Sequence, residues 1–215
     1  APTQVRSRPS RGLLESQPPS TEADVLGLGR SDSDADQRSA GTIAALNVVV
    51  LNADLKFVQQ PLLVGHYRSI TLTGAERVID ALVDKGMSRA LAAGLYPDEI
   101  GSHQIFGNRR DNPENPYELA RPAAAVVVGL GEEGKLGLPK LAFSVRQAVL
   151  AYAQRLSERK GGAPAQFEMA ATLMGSGGIS ITPGSAACAI AQGALDANLK
   201  LQGSGWPQLS QLTLV

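Results

Sequence analysis

The stretch that decides the fold runs from Met169 to Asn198 and reads MAATLMGSGGISITPGSAACAIAQGALDAN. Its apolar start predicts a strand, Gly175–Gly178 predicts a loop, and the small residues from Ser185 onward predict a helix. Glycine permits a positive φ and the close approach of another backbone. A helix N-terminus adds unpaired N–H donors and a partial positive charge. If the chain binds a ligand, we expect this loop to contact it.

A second explanation of the same loop stays open. The predicted helix Ser185–Leu199 carries a face of alanines together with Gly193, which is typical of a helix that packs closely on a sheet. The glycines of the loop are then needed for packing alone. A P-loop is excluded, because no Gly-Lys-Ser/Thr follows the glycines.

Apolar strand patterns alternate with amphipathic helix patterns along the rest of the chain. Leu46–Leu51 has the composition of a buried strand, and Pro61–His66 and Ala123–Val128 are further strands. Helical periodicity follows over Gly74–Lys85 and Leu141–Leu156. This alternation predicts a three-layer α/β fold with a largely parallel sheet between helices.

A second glycine-rich segment follows the third of these strands. Gly129–Gly134 matches the dinucleotide pattern GxGxxG by letter, but Lys135–Leu138 separate it from the next helix, so a Rossmann site is not favoured. Since parallel strands end at one edge of a sheet, we expect this segment and the first loop to form two walls of one cleft. The residues predicted to contact a ligand there are Gly129, Gly131, Gly134, Gly175, Ser176, Gly177, Gly178 and Ser185.

No catalytic pattern accompanies these residues, and we predict neither an enzyme nor a cofactor. Cys188, alone in a predicted helix, is expected to be a buried and inert thiol. Two separate histidines, His66 and His103, do not make a metal site. Four acidic residues near the predicted strand ends are expected to be solvated loop charges, namely Asp98, Glu99, Glu132 and Glu133.

The composition argues against two classes of partner, nucleic acids and membranes. The 215 residues carry no formal net charge and only 4% aromatic residues, which argues against nucleic acid. No apolar run approaches the ~18 residues of a membrane span, so no membrane partner is predicted. A single cysteine fits a reducing compartment and a cytoplasmic location.

The first 41 residues differ from the rest, because they are rich in Ser, Pro, Arg and Asp and lack apolar periodicity. They are predicted to be a disordered linker or tail, with a docking segment as the alternative. Residues 42–215 are predicted to form the α/β domain. The chain starts without Met and stops inside the apolar pattern Leu209–Val215, which predicts a piece of a longer protein.

The order of five motifs resembles a domain associated with bacterial CHAT (caspase-like) protease proteins. These motifs, spread over about residues 44–215, are TGAERVIDALV, AAGLYPDEIGSHQIF, VVVGLGEEGKL, the glycine-loop stretch quoted first, and GWPQLSQLTLV. The resemblance implies a regulatory domain beside a protease in the same polypeptide, which senses a small anionic ligand or docks a protein partner. A caspase-like His–Cys pair is not evident, so protease activity does not carry over.

More remotely, the strand exits and the glycine loop resemble the N-terminal domain of leucyl aminopeptidases, which has a macro-like fold with a mixed sheet. The aminopeptidase metal motif NTDAEGR is absent. True macro domains bind ADP-ribose through a glycine loop before a helix, and Gly175–Gly178 with Ser185 is the matching place. In macro domains an Asp also contacts the adenine, and Asp54 is the only candidate for that residue in this sequence.

Three functions follow from these patterns. The first is a non-catalytic regulatory or recognition domain of a CHAT protease protein. The second is a macro-type domain that binds or hydrolyses an ADP-ribose-like nucleotide. The third is a purely structural interaction module.

Overall fold

The computed structural model describes residues 45–108, 120–159, 162–176 and 181–215. Its strands are β1 (Asn47–Val50), β2 (Leu62–Tyr67), β3 (His103–Gly107), β4 (Ala124–Gly131), β5 (Gln166–Ala171) and β6 (Gln208–Leu214). They form one sheet in the order β1-β6-β5-β2-β4-β3. Neighbouring strands are parallel throughout, except for the antiparallel pair β3 and β4.

Helices cover both faces of this sheet. They are α1 (Ala75–Leu82), α2 (Gly86–Ala92), α3 (Leu138–Ser157) and α4 (Pro183–Leu201), with a 3-10 turn at Leu55–Phe57. The core on one face includes residues of α1 and α2, and the core on the other includes residues of α3 and α4. The predicted three-layer α/β fold with a mixed, largely parallel sheet is confirmed.

Strand β4 shows why its sequence is apolar without alternation. All eight of its residues are buried, because β2 and β3 flank it and both faces of the sheet are covered. A strand buried on both faces is a near-continuous apolar run in parallel sheets.

The small-residue face of α4 packs directly on α3. A Cβ atom added to Gly193 would lie 2.4 Å from the carbonyl oxygen of Ala142 and 2.9 Å from the Cβ of Val145. The two helix backbones approach so closely that only glycine fits between them. Close packing therefore accounts for Gly193 without a ligand.

Three local predictions are wrong. Strand β1 is not buried: Val48 and Val50 are 42% and 79% exposed, because β1 is an edge strand with β6 as its neighbour. Cys188 is not buried either, since it lies on the exposed side of α4. The helix predicted to reach Lys85 ends at Leu82, because a left-handed Asp84 and Lys85 follow, and α2 begins at Gly86.

Candidate functional site

The candidate site lies where the chain leaves two neighbouring strands in opposite directions. The β2–α1 loop (residues 68–74) leads to the α1 face of the sheet, and the β5–α4 loop (residues 172–182) leads to the α4 face. Residues 177–180 of the second loop lie outside the described part of the chain. In open α/β sheets, ligands bind in the crevice at such a switch point, outside the carboxyl ends of the strands.

At the place where the fold predicts this crevice, β5 ends before β2 does. Strand β5 pairs with β2 only at Leu62 and Leu63, and β2 continues to Tyr67. Met174 folds back beside this free stretch of β2, where a Cβ on Gly65 would lie 3.0 Å from the Cβ of Met174. Glycine at position 65 therefore lets the buried Met174 and Leu130 pack against β2.

The two glycine-rich segments meet at one point. Gly175 has a φ of 81°, and a Cβ there would lie 3.0 Å from Cδ2 of Leu136, which follows β4. Beside it, the Ser176 hydroxyl donates to the Leu173 carbonyl oxygen at 2.6 Å. The loops after β4 and β5 thus touch each other, as neighbouring walls would. Gly177 and Gly178, predicted to contact a ligand, lie outside the described residues.

The glycines of the β4 segment face another part of the chain. A Cβ on Gly129 would lie 2.1 Å from the Glu99 carbonyl oxygen, and one on Gly131 would lie 3.2 Å from Cγ1 of Ile100. Gly134 occupies a turn with a φ of 81° and open space around it. Gly129 and Gly131 therefore have a packing role against residues 98–102, and their contact with a ligand stays a prediction.

Helix α4 begins directly after the β5–α4 loop, one residue beyond Thr182. Thr182 is the N-cap residue, and its hydroxyl oxygen accepts from the Ser185 N–H at 3.2 Å. Since Pro183 has no N–H and the Ser185 N–H bonds Thr182, Gly184 carries the other backbone N–H of the first turn. The first turn contains no acidic residue, so its partial positive charge is not neutralised from within. Ser185, predicted to contact a ligand, is half-buried here.

The other side of the site, at the end of β4, is acidic. Arg68 pairs with Asp98 at 3.2 Å, with Glu132 at 3.6 Å and with Glu99. Three of the four acids predicted to be solvated loop charges, Asp98, Glu99 and Glu132, are exposed at 43%, 71% and 49%, and they also share one exposed guanidinium. Burial, together with the negative charge of Glu133, raises the pKa of the Tyr67 phenol. An anionic ligand is therefore favoured on the α4 side and disfavoured at the end of β4.

A buried polar network lies beneath the β2–α1 loop. His66 Nδ1 lies 2.8 Å from Glu76 Oε1, and the Tyr96 hydroxyl donates to the same oxygen at 3.0 Å. The His66 ring stands edge-on to the Tyr96 ring, with 4.7 Å between their centroids. The sequence showed part of this network, because the spacing from Thr73 to Glu76 predicts a capping box. The Thr73 N–H does donate to Glu76 Oε2, but Gly74 is the N-cap residue.

The Tyr96 phenol makes the stability of the chain sensitive to alkali. Burial, the nearby Glu76 carboxylate and its hydrogen bond raise the pKa of Tyr96. Below about pH 10 the phenol is protonated in both the folded and the unfolded state, so its contribution is fully present. Above that pH only the unfolded state loses the proton, and the free energy of unfolding falls by up to about 1.4 kcal/mol per pH unit.

Urea unfolding between pH 8 and 11 measures this effect. We expect the free energy of unfolding of Tyr96→Phe to fall less steeply above pH 10 than that of the wild type. Parallel slopes for the two proteins would contradict the assignment to Tyr96.

Among the described residues, no group of three or more His, Cys, Asp or Glu side chains could hold a metal ion. None of the described helices combines the length and the apolar character that crossing a membrane requires. Asp54 follows β1 at the same edge of the sheet as the crevice, and its Oδ1 accepts from the Lys56 N–H at 3.0 Å.

Solved structures share this architecture. The macrodomain of Mycobacterium tuberculosis DarG matches with a TM-score of 0.51 and 10% identity, over 78% of this chain and 98% of that one. The macrodomain of Thermus aquaticus DarG matches with a TM-score of 0.50 and 13% identity, over 79% and 98%. The chain has a macro-like fold. No model of a known protein family and no curated protein matches the sequence.

The macro-like fold changes one functional expectation. The prediction that the chain is not an enzyme is wrong as it stands, because the structural neighbours are macrodomains of DarG. At 10% and 13% identity, these neighbours support the fold. The implied association with a CHAT protease finds no support among these neighbours.

Proposed function

We propose that this chain is a macro-type domain that binds an ADP-ribose-like nucleotide in the crevice between β2 and β5, with hydrolysis of that nucleotide as the activity to measure. The observation that carries the proposal is the uncompensated N-terminus of α4 at the switch point of a macro-like fold. Backbone N–H groups and the helix dipole favour phosphate at such a place.

The dimensions of the sheet edge fit a nucleotide. The exit of β1, where Asp54 lies, is three strand spacings from the exit of β2, which is about 14 Å. A diphosphate beside α4 would leave the adenosine to extend across β6 toward β1. The Asp54 carboxylate is exposed there and has acceptor capacity left for an adenine amino group.

Calorimetry with ADP-ribose, AMP and ribose 5-phosphate tests the proposal. We expect ADP-ribose to bind most tightly, because it alone supplies both the adenine and the diphosphate. Chromatography of the same nucleotides after incubation with the protein measures hydrolysis independently of affinity. Absence of heat at about 1 mM ADP-ribose, which corresponds to a binding free energy weaker than about −4 kcal/mol, would refute the nucleotide site.

A negative charge at position 184 should lower the affinity for ADP-ribose and raise the stability of the folded protein. A Cβ at this position meets open space, so a side chain fits without a clash. We expect Gly184→Asp to raise the ADP-ribose Kd at least about tenfold, which is about 1.4 kcal/mol, relative to the isosteric Gly184→Asn. The same aspartate should stabilise α4 by about 0.5 kcal/mol relative to asparagine.

Calorimetry and thermal unfolding of the two variants check both effects. Equal affinity in both variants would mean that no anion lies at this helix end. Lower stability of the aspartate variant would mean that the first turn is not electropositive.

The resemblance to a domain of CHAT protease proteins stays a prediction from sequence motifs. From this resemblance we propose that the partners of this domain are other domains of the same polypeptide, among them a caspase-like protease. In that arrangement, binding of the nucleotide to this domain would change its contact with a neighbouring domain. Co-purification of this chain with the neighbouring domains of its polypeptide, with and without ADP-ribose, tests the proposal.

A further inference from the structure

The β2–α1 loop is held from below by two buried side chains. His66 Nε2 lies 3.3 Å from the Ser69 carbonyl oxygen, and Glu76 Oε2 accepts from the Thr73 N–H at 3.3 Å. His66 and Glu76 are only 1% and 4% exposed, and they also contact each other. One buried pair thus contacts a carbonyl near the start of the loop and accepts from an N–H near its end.

We infer that His66 and Glu76 are positioning residues that set the conformation of the β2–α1 loop and, through it, the width of the crevice. The functional part of this inference rests on the proposed nucleotide site. Glu76 accepts from Tyr96 and Thr73, and its Oε1 lies 2.8 Å from His66 Nδ1, so both of its oxygens are engaged. Breaking one of these contacts leaves a buried polar group without its partner, which is strongly unfavourable.

Beyond Arg68, whose guanidinium pairs with three acidic residues, the described contacts give the loop few other anchors to replace this pair. The Arg68 N–H donates to the Gly131 carbonyl at 2.9 Å, which fixes the start of the loop to β4. The Thr71 N–H donates to the Ser69 hydroxyl at 3.2 Å, a contact inside the loop that moves with it. Ile70 is 93% exposed and Leu72 is buried, so only one apolar side chain of the two reaches the core.

The loop also has space to move. On the α1 and α2 side it borders a groove of about 620 Å³, whose walls include Ser69, Thr71, Arg77, Ser88 and Leu91. Loss of the buried contacts would let the loop shift into this groove and away from the β5 side. The crevice would then widen, and a ligand that touches both walls would lose one of them.

Two variants separate positioning from general damage to the buried network. Glu76→Met keeps the length of the side chain but none of its acceptors, so it releases both His66 and Thr73. Tyr96→Phe is the matched control, because it removes a donor from the same carboxylate without touching the loop. We expect amide hydrogen exchange of Thr73 to be at least about tenfold faster in Glu76→Met than in Tyr96→Phe, after normalisation to the β4 amides.

The ADP-ribose affinity is the second measurement. We expect the Kd to rise about tenfold in Glu76→Met and less than about threefold in Tyr96→Phe, about 1.4 and 0.7 kcal/mol. Equal exchange at Thr73 in the two variants would overturn the positioning role. Faster exchange in Glu76→Met with an unchanged Kd would overturn its link to the crevice. If the loop responds as expected but even the wild type binds no ADP-ribose, the nucleotide site fails and the positioning role stands.

The unmodified protein supplies a test that does not depend on the folding of Glu76→Met. The Thr73 amide, bound to a buried carboxylate, should exchange at least about tenfold more slowly than that of the exposed Ile70, relative to their intrinsic rates. Equal protection of the two amides would overturn the inference.

Discussion

Asn198→Leu should lower the free energy of unfolding by about 4 kcal/mol. Asn198 is fully buried in α4, where its amide donates to the Leu209 carbonyl at 2.8 Å and its oxygen accepts from the Leu209 N–H at 2.9 Å. The pairing of β1 with β6 begins only at Gln211. On that side of β6, the Asn198 side chain therefore makes the hydrogen bonds to Leu209 that β1 does not provide. Leucine fills the space but leaves two backbone groups unpaired, at about 2 kcal/mol each.

Gln192→Leu is the control for this prediction. Gln192 lies on the exposed side of the same helix and bonds Asp196 at 2.8 Å, so its loss should cost less than about 0.5 kcal/mol. Thermal unfolding should place the Asn198 variant about 10 °C below the control, given about 2–4 °C per kcal/mol for a chain of this size. A difference of only one or two degrees would show that Leu209 finds other partners.

Gly129→Ala should destabilise the chain by about 3 kcal/mol. The added methyl would lie 2.1 Å from the Glu99 carbonyl oxygen and 2.5 Å from the Ser102 hydroxyl, so the 98–102 segment would have to move. Overpacking of this kind typically costs about 1–3 kcal/mol, and backbone atoms yield less readily than a flexible side chain. Urea unfolding measures the loss.

Gly184→Ala provides the comparison, because its methyl meets nothing within 4 Å and alanine favours a helix. We expect it to be neutral or slightly stabilising. The pair also tests the ligand role predicted for Gly129. If Gly129→Ala keeps its stability but loses ADP-ribose affinity, that glycine contacts the ligand, and the packing explanation is wrong.

Much of the fold could be predicted from local patterns. The uninterrupted apolar run of β4 and the helical spacing of α3 are direct consequences of burial, so they are visible in sequence. The exposure of β1 was not visible, because three successive valines look the same in a central and an edge strand. Exposure depends on which strand lies next to it, a property of the whole sheet.

The candidate site was less predictable, because its parts come together only in the folded chain. The glycine loop and the start of α4 are local signals in the sequence, and the helix predicted from Ser185 begins at Pro183. His66 and Tyr96 lie 30 residues apart and are joined by Glu76, whose spacing from Thr73 indicated a cap and nothing more. The packing role of Gly129 could not be predicted, because the 98–102 segment that lies against it is distant in sequence.

The exposure of Cys188 has a practical consequence. It is the sole cysteine of the 215 residues and lies on the solvent side of α4, five residues after Pro183. A maleimide dye or a nitroxide would therefore attach at one position without further mutagenesis, about 7.5 Å along the helix from its first residue. The spectroscopic signal of such a probe would report on a ligand or partner that binds near the start of α4.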